Sequence, residues 1–307
     1  MRQVTVNEND GGQRLDKFIT KLMPKLPGSM LYKGLRKKCV RLNGRHVKDG
    51  SVRVESGDVL QLYFNDEFFE RETDFVYVKP ELDIVYEDEN ILVINKAVGV
   101  LVHPDAGGKS KTLVDMVQSY LYGKGEYDPA QENTFRPSLC NRLDRNTGGL
   151  VIAAKNASAL REVNESIRNR SIKKYYMAVA EGYTDDSGRL DGYVTRRGLV
   201  TSAADSNASG AKEVSLSYRA VARKNGYTLL EIELHTGRTH QIRSQLSSAG
   251  FPLAGDTKYG GHGGRFRQAL WSVRLELGFD ADSPLAYLNG KEISVKASFE
   301  NEFFRED

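Results

Sequence analysis

The residue that most strongly suggests chemistry is Asp144, in the segment 141–149, which reads Asn-Arg-Leu-Asp-Arg-Asn-Thr-Gly-Gly. Its carboxylate stands between two arginines on a polar stretch just before an apolar one. Nearby positive charge favours the ionised form of a carboxyl group. An ionised Asp at a strand entrance is a candidate nucleophile or base, although an Arg–Asp ion pair that closes a turn explains the same pattern.

Three further segments carry polar side chains at the ends of apolar runs. Residues 174–182 place an aromatic pair, Tyr175 and Tyr176, at the start of a predicted strand. Residues 234–243 end a strand, turn at glycine and begin a helix with Gln-Ile-Arg. Residues 250–260 form a loop punctuated by glycines. Each segment could bring a polar side chain to the end of a sheet.

Cysteine and histidine usage predicts neither a disulfide nor a metal site. The two cysteines, Cys39 and Cys140, are far apart in unrelated contexts, which favours a reducing compartment. No His/Cys cluster has the spacing of metal ligands. The N-terminal residues lack the apolar core of a signal peptide, and no stretch approaches about 18 apolar residues. We therefore expect a cytoplasmic protein without a membrane segment.

The positive charge is concentrated at the start of the chain. Residues 1–63 contain 13 Lys/Arg and 6 Asp/Glu, a net charge of +7, whereas the whole chain of 307 residues has a net charge of +3. A small basic domain beside a larger, near-neutral one suggests an anionic partner, with a nucleic acid ahead of a lipid surface.

The charge distribution and local composition predict a basic αβ domain over residues 1–64, a linker of mixed charges and aromatics over 65–81 and a larger domain over 82–307. In the first domain, apolar residues that recur at helical spacing from Leu15 predict one helix, and we expect a second helix over 29–38 with Ser29 as its N-cap. The larger domain has many predicted strands, a few helices such as that over 157–168, and a hairpin over 188–210 with a mobile tip. These features indicate the α+β class.

A basic helix and a hairpin at Asn43-Gly44 would give the first domain a phosphate-binding surface. A solvated helix face explains the same charges. The predicted RNA-binding residues are Lys33, Arg36, Lys37, Lys38, Arg41 and Arg45.

Taken together, the motifs resemble those of the RluA-type RNA pseudouridine synthases. The resemblance covers residues 82–277 and depends on Asn-Arg-Leu-Asp-x-x-Thr-x-Gly, Lys-x-Tyr-x-Ala-x-x-x-Gly, Gly-Arg-Thr-His-Gln-Ile-Arg and Gly-Asp-x-x-Tyr-Gly. It implies a mixed, mainly antiparallel sheet with flanking helices. The first 63 residues resemble the small RNA-binding domain first described in ribosomal protein S-four. Arg-Leu-Asp also occurs at 14–16, but only Asp144 matches the catalytic motif.

The resemblance implies that the chain isomerises uridine in RNA without a cofactor. Asp144 would begin the reaction by attacking the sugar, acting as a base or adding to the ring. Arg243 would keep Asp144 ionised and oriented, and Tyr176 would stack on the uracil and assist proton transfer. His240 would be a turn residue behind the site, and Asp256 would close its glycine-rich loop. The predicted substrate-binding residues are Asn141, Arg142, Thr147, Arg238, His240 and Gln241.

The chain departs from the family pattern at several positions. Asn141 replaces the usual His, Gly148 the usual Ser and Ala97 the usual Pro, while the run 270–273 lacks the His-Ala of many members. None of these departures removes Asp144, Tyr176 or Arg243. They bear on substrate identity and rate more than on the reaction.

Three functions compete at this point. The first is an RNA uridine isomerase that acts as a monomer, with large-subunit ribosomal RNA as the leading target and transfer RNA as the other. The second is a non-catalytic RNA-binding assembly factor. The third, an Asp-dependent glycosidase, is the weakest because such enzymes normally need a second carboxylate.

Overall fold

The computed structural model describes residues 1–70, 75–104, 111–197, 200–262, 267–299 and 303–304, without the side chains of 196 and 197. The chain divides into two compact units. The first comprises Met1–Pro80, Asp115–Ser138 and Lys155–Ser158, and the second comprises Glu81–Val114, Leu139–Ala154 and Ala159–Asp307.

A four-stranded antiparallel sheet and two helices form the core of the first unit. The strands are β1 (Arg2–Thr5), β2 (Val40–Leu42), β3 (Arg45–His46) and β4 (Val59–Leu62), in the order β1-β4-β2-β3, and a 3-10 turn lies at Glu8–Asp10. Helices α1 (Leu15–Leu22) and α2 (Gly28–Arg36) bury apolar side chains such as Phe18, Ile19 and Leu35. The apolar residues whose spacing predicted α1 therefore form the face that the core covers.

The predicted hairpin is present between β2 and β3. Asn43 and Gly44 both have positive φ, at 49° and 76°, as a two-residue turn of this kind requires. The predicted start of α2 was wrong. Pro27, not Ser29, is the residue before the helix, with φ −61° and ψ 138°, because the proline ring fixes an extended entry that lets the next residue begin the helix.

The six residues predicted to bind RNA from the first unit all have exposed side chains. They occupy the end of α2, the turn after it and the β2–β3 hairpin. Within the described residues, no carboxylate forms an ion pair with any of the six. Arg41 lies 5.6 Å from the ring centre of Tyr63. This basic surface is available to an anionic partner.

The compact units do not follow the predicted limits of 1–64, 65–81 and 82–307. A 3-10 turn at Asp66–Phe69 buries Phe69 in the core of the first unit, and residues 65–80 and 115–138 belong to the same unit. The predicted domain limits stay a prediction.

The second unit contains a large mixed sheet. The strands of this sheet are β5 (Ile84–Glu87), β6 (Ile91–Lys96), β7 (Ser138–Leu139), β8 (Gly148–Ala154), β9 (Lys173–Glu181), β10 (Ser187–Arg197), β11 (Val200–Ala204), β12 (Lys212–Lys224), β13 (Tyr227–Leu234), β14 (Leu270–Glu276) and β15 (Glu292–Ser294). The main path runs β11-β10-β12-β13-β9-β14-β8-β6-β5, with β15 beside β14 and β7 beside β8. Helix α3 (Leu113–Gly123) lies mostly in the residues of the first unit, whereas most of α4 (Ala157–Arg168) and all of α5 (Gln241–Ser248) belong to the second. The second unit also has 3-10 turns at Thr257–Tyr259 and Ala286–Leu288.

The centre of this sheet is where the chemistry-bearing motifs meet. Strand β14 pairs antiparallel with β9 and parallel with β8, with Ser272 opposite both Tyr176 and Gly149. Seven consecutive residues of β8 are buried, as expected for a strand covered on both faces. The α+β class and the mainly antiparallel sheet are confirmed.

Residues predicted as a hairpin over 188–210 form the antiparallel pair β10 and β11. The predicted mobile tip includes residues 198 and 199, which lie outside the described residues. Among the helices that the structure describes, none is long and apolar enough to cross a bilayer.

Candidate active site

The loop that carries Asp144 is held in place by its own turn and by the sheet. The Thr147 N–H donates to the Asp144 carbonyl oxygen at 3.1 Å, and the Thr147 hydroxyl accepts from Gln268 Nε2 at 2.6 Å. Gly149 has φ 108°, and a Cβ there would lie 2.6 Å from the backbone nitrogen of Ser272. Only glycine therefore allows the chain to turn from this loop into β8.

Arg243 joins two carboxylates that are far apart in sequence. Its Nη1 donates to Asp144 Oδ2 at 2.9 Å. Its Nε and Nη2 donate to Asp256 Oδ2 and Oδ1 at 2.6 and 2.7 Å. Asp256 is buried, whereas Asp144 is partly exposed. A bidentate carboxylate fixes the plane of a guanidinium, so Arg243 presents its remaining edge to Asp144.

Burial opposes the charge of Arg243, but the hydrogen bonds to Asp256 and Asp144 raise its pKa above the ordinary value. The guanidinium also lies over the ring of Tyr259, 4.8 Å from the ring centre. This cation–π contact further limits its movement. Arg243 is consequently a fixed positive charge beside Asp144.

His240 also lies near Asp144, with Nε2 3.8 Å from Asp144 Oδ2. Its backbone is left-handed, at φ 54°, immediately before α5. Nδ1 lies 2.8 Å from the Tyr259 hydroxyl, which accepts from the Thr201 N–H at 3.0 Å. Burial lowers the pKa of His240, with Asp144 opposing the shift. The imidazole lines the cavity beside Asp144, and the expected role of His240 as a turn residue behind the site stays a prediction.

Tyr176 lies on β9, in the sheet beside the Asp144 loop. Its side chain is buried, and burial raises its pKa to about 12. The phenol is therefore neutral at ordinary pH. Tyr176 and Asp144 line the same cavity, so an aromatic face and a carboxylate are available to one bound group.

The cavity has a volume of about 680 Å³ and lies within the second unit. Asp144 is the only carboxylate among its described lining residues. Seven cationic side chains contribute to the wall: Arg142, Arg168, Arg170, Lys174, Lys212, Arg238 and Arg243. A cavity with this excess of positive charge suits an anionic ligand.

Five of the six residues predicted to bind substrate separate into two sets, and the sixth, His240, lines the cavity beside Asp144. Asn141 Nδ2 donates to the Leu150 carbonyl oxygen and its Oδ1 accepts from the Ile152 N–H, at 3.2 and 2.8 Å. Gln241 Oε1 accepts from Thr236 and Arg238, while its Nε2 donates to Ser215 and Gln245. These two amides hold strands and turns together, as does the Thr147 hydroxyl.

Arg142 and Arg238 form the second set. Both have exposed side chains on the cavity wall. Their internal contacts are long: Arg142 Nη2 lies 3.4 Å from Thr239 Oγ1, and Arg238 Nε lies 3.5 Å from the Glu213 carbonyl oxygen. Their charges can therefore reorient toward a ligand. All six predicted substrate contacts stay predictions.

Sequence reasoning missed the role of Asp256 in fixing Arg243. Its backbone does close the loop, since the Gly261 N–H donates to the Asp256 carbonyl oxygen at 2.9 Å. Its carboxylate, however, accepts two hydrogen bonds from Arg243. The Gly-Asp-x-x-Tyr-Gly motif contained the signal, because it supplies both Asp256 and Tyr259. Their pairing with one guanidinium depends on the fold.

Lys96 is a second missed residue. It is 1% exposed and donates to the carbonyl oxygens of Ala97, Val100 and Arg145 at 2.9, 3.0 and 3.2 Å. Burial lowers its pKa to about 8, and the Asp144 charge opposes that shift. Three carbonyl acceptors use all three ammonium donors. Lys96 thus ties the loop after β6 to the Asp144 loop.

Two of the sequence departures are explained by one contact. A Cβ on Gly148 would lie 2.5 Å from Cε3 of Trp271. The Trp271 indole packs against Phe299 with a ring-centre distance of 6.5 Å. The large side chain at 271 therefore requires glycine at 148, and the two departures compensate each other sterically.

No group of three or more His, Cys, Asp or Glu side chains is placed to hold a metal ion in the part of the chain that the structure describes.

Comparison with known proteins gives matches to both units. The family model described as RNA pseudouridylate synthase matches residues 90–248. The model described as S4 domain matches residues 13–60.

Relatives along most of the chain carry related names. The chain is 34% identical over 300 residues to an uncharacterized RNA pseudouridine synthase of Mycoplasma capricolum, a match that covers 95% of this chain and 97% of the relative. It is 34% identical over 257 residues to ribosomal large subunit pseudouridine synthase D of Escherichia coli K12, with 84% and 76% covered. The solved structure of human RNA pseudouridylate synthase domain containing 1 has a similar fold, with a TM-score of 0.56, 22% identity and coverage of 72% of this chain and 86% of that one.

Proposed function

The chain belongs to the RNA pseudouridylate synthase family, and we propose that it isomerises specific uridines of ribosomal RNA to pseudouridine with Asp144 as the catalytic carboxylate. The observation that carries the residue assignment is the Asp144–Arg243 ion pair at 2.9 Å on a cationic cavity that also contains Tyr176.

The reaction exchanges one bond for another and moves one proton. The bond between N1 of uracil and C1′ of ribose breaks, and a bond between C5 and C1′ forms. C5 loses a proton and N1 gains one, so no redox partner is needed. Attack at C1′, proton abstraction from the sugar and addition to the ring all require an ionised Asp144. Arg243 Nη1 donates a hydrogen bond to this carboxylate at 2.9 Å and so holds it in one orientation.

Tyr176 stacks its ring on the uracil and assists transfer of the C5 proton in this proposal. Support comes from its position on the wall of the Asp144 cavity. A pKa of about 12 keeps the phenol protonated and able to donate a hydrogen bond. The ring face binds a flat base in either protonation state.

The target uridine must leave its stack to reach Asp144, since a base inside a helix cannot enter a cavity. Arg142, exposed on the wall, would hold the flipped-out state through a phosphate or an adjacent base. Unstacking costs a few kcal/mol. The remaining cations of the wall, together with the basic surface of the first unit, would offset that cost through phosphate contacts.

Ribosomal RNA is proposed ahead of transfer RNA for two reasons. Relatives at 33–35% identity are named ribosomal large subunit pseudouridine synthase D. An S4 domain also matches the basic first unit. The proposal includes a cytoplasmic, monomeric enzyme that works without a cofactor, and light scattering of the purified chain checks its monomeric state.

The decisive experiment is a pseudouridine map of total RNA from cells with and without the gene. We expect sites to disappear from large-subunit ribosomal RNA and to return with the wild-type chain. Asp144→Asn should not restore them. The control is Asp186→Asn, which changes a carboxylate with a 93% exposed side chain and should restore every site.

The rival functions predict other outcomes. A non-catalytic assembly factor, which the comparisons do not favour, requires that Asp144→Asn restores all phenotypes. Sites that disappear only from transfer RNA would replace the proposed target. A glycosidase would release free uracil. It would also need a second carboxylate, and the other carboxylate near Arg243, Asp256, is buried with both oxygens bound by Arg243.

A further inference from the structure

Lys174 is a buried cation that the proposed chemistry does not use. It lies on β9 and is 8% exposed. Within the described residues, no hydrogen bond or ion pair engages its ammonium, and burial alone lowers its pKa. Burial of an unpaired charge is unfavourable to folding. A chain that retains such a charge in a cavity wall is equipped to bind an anion there.

The position of Lys174 relative to Tyr176 suggests which anion. The two residues are two positions apart on one strand, so their side chains leave the same face about 6.6 Å apart. Both line the cavity of Asp144. The ribose separates the base and the phosphate of a nucleotide by a comparable distance. A uracil on Tyr176 would therefore bring its own backbone phosphate close to Lys174.

The surroundings of the ammonium fit a phosphate. The Cβ that Gly237 lacks would lie 3.7 Å from Lys174 Nζ, so the ammonium lies beside the turn that leads into α5. Arg168, Arg170 and Lys212 line the same cavity. The carboxylate of that wall, Asp144, is already bound by Arg243.

We propose that Lys174 binds the backbone phosphate of the target nucleotide and so sets the position of its uracil between Tyr176 and Asp144. The inference rests on the proposed function in taking RNA as the ligand. The ammonium contributes a direct charge contact with the phosphodiester and takes no part in the proton transfers.

The test measures binding of a fluorescein-labelled oligouridylate of about twelve nucleotides to the full chain by anisotropy at several KCl concentrations. For single strands, each phosphate contact adds about 0.7 to the slope of log affinity against log salt. Lys174→Met should lower that slope by about this amount and weaken binding several-fold. Lys174→Arg should retain the slope.

Lys173→Met is the matched control. Lys173 is adjacent in sequence, its side chain is 52% exposed and it pairs with Glu276 at 3.4 Å. We expect its slope to equal that of the wild type. Thermal unfolding gives a second readout, since removal of an unpaired buried charge should not lower the melting temperature, whereas removal of a structural lysine should.

An unchanged slope in Lys174→Met overturns the proposal whatever the melting temperature. A reduced slope in Lys174→Arg as well also overturns it, because the charge has been kept. If Lys174→Met does not fold, Lys174→Gln gives the same comparison. The measurement needs no turnover, so failure of Asp144→Asn to behave as a catalytic variant would count against the proposed function and not against this site.

Discussion

Asp256 binds one edge of the Arg243 guanidinium through two hydrogen bonds, with oxygen–nitrogen distances of 2.6 and 2.7 Å, although the two residues are 13 positions apart. The third hydrogen bond of the cluster, from Arg243 to Asp144, therefore depends on a buried residue that does not line the cavity of Asp144 and Tyr176. Arg243 acts as the link between a buried anchor and a partly exposed carboxylate.

Removal of the Asp256 charge should impair turnover without weakening RNA binding. Asp256→Asn abolishes the bidentate ion pair, so Arg243 can rotate and Asp144 no longer has a fixed partner. We expect kcat to fall about 100-fold, as misplacement of a catalytic group can cause, with KM unchanged. Assays on the mapped RNA at saturating and limiting concentrations measure both. Asp186→Asn should behave as wild type, and a normal kcat in Asp256→Asn would refute the anchoring role.

Tyr176→Phe separates stacking from proton transfer. The ring is retained, so RNA affinity should remain, while removal of the hydroxyl should lower kcat by about 10²- to 10⁴-fold if it takes part in proton transfer. Tyr176→Leu should also raise KM, because it has no stacking face. The measurement is pseudouridine formation under saturating and limiting RNA. Full kcat in Tyr176→Phe would restrict this residue to stacking.

Lys96 should make stability depend on pH in a defined direction. Its pKa is about 8 in the folded protein against 10.5 ordinarily, so between these values the unfolded chain binds the extra proton. The contribution of Lys96 to the free energy of unfolding therefore rises between pH 8 and pH 10.5. At 1.36 kcal/mol per pH unit, the rise is about 3 kcal/mol.

Urea unfolding of the wild type and Lys96→Met across that range measures the effect as a difference, in which the other titrating groups cancel. The stability of the wild type relative to Lys96→Met should grow as the pH rises. A difference that stays constant would contradict the pKa shift. A difference that shrinks as the pH rises would mean that folding raises the pKa of Lys96 instead of lowering it.

Gly148 and Trp271 should be energetically coupled. Gly148→Ser places a Cβ against the indole, and such overpacking typically costs about 1–3 kcal/mol. In the double variant with Trp271→Ala, the serine has room, so the combined destabilisation should be smaller than the sum of the two single effects. Chemical denaturation of the four proteins measures the coupling. Gly192→Ala, where a Cβ would meet nothing within 4 Å, is the control, and additive effects would disprove the coupling.

Charge reversal on the basic surface of the first unit should affect RNA binding alone. Lys37→Glu/Lys38→Glu should weaken binding and reduce the salt slope by about 0.7 for each phosphate that is no longer neutralised, while kcat at saturating RNA stays the same. Filter binding and single-turnover assays give the two quantities. Lys17→Glu/Lys21→Glu on α1 makes the same charge change. Equal effects from both pairs would indicate long-range electrostatics in place of a defined surface.

Local sequence determined much of this molecule. The apolar spacing of α1 and the Asn43-Gly44 turn specify their own conformations, because helix faces and two-residue turns are formed by neighbouring residues. The helix at Ala157–Arg168 has the bounds that its pattern predicted. The start of α2 was misjudged because serine and proline both favour a helix entry and only the chain path selects between them. The motif order was sufficient to identify the family.

Tertiary structure decided which side chains act together. Asp144, Arg243 and Asp256 come from three separate segments: the loop before β8, helix α5 and the loop between α5 and β14. Their contacts exist because the fold brings these segments to one place. The sequence could not distinguish Asp256 as a loop residue from Asp256 as the anchor of Arg243. Nor could it show that Lys174 is buried in the cavity wall, or that Gly148 makes room for Trp271. These properties depend on long-range packing, which the local pattern of residues does not encode on its own.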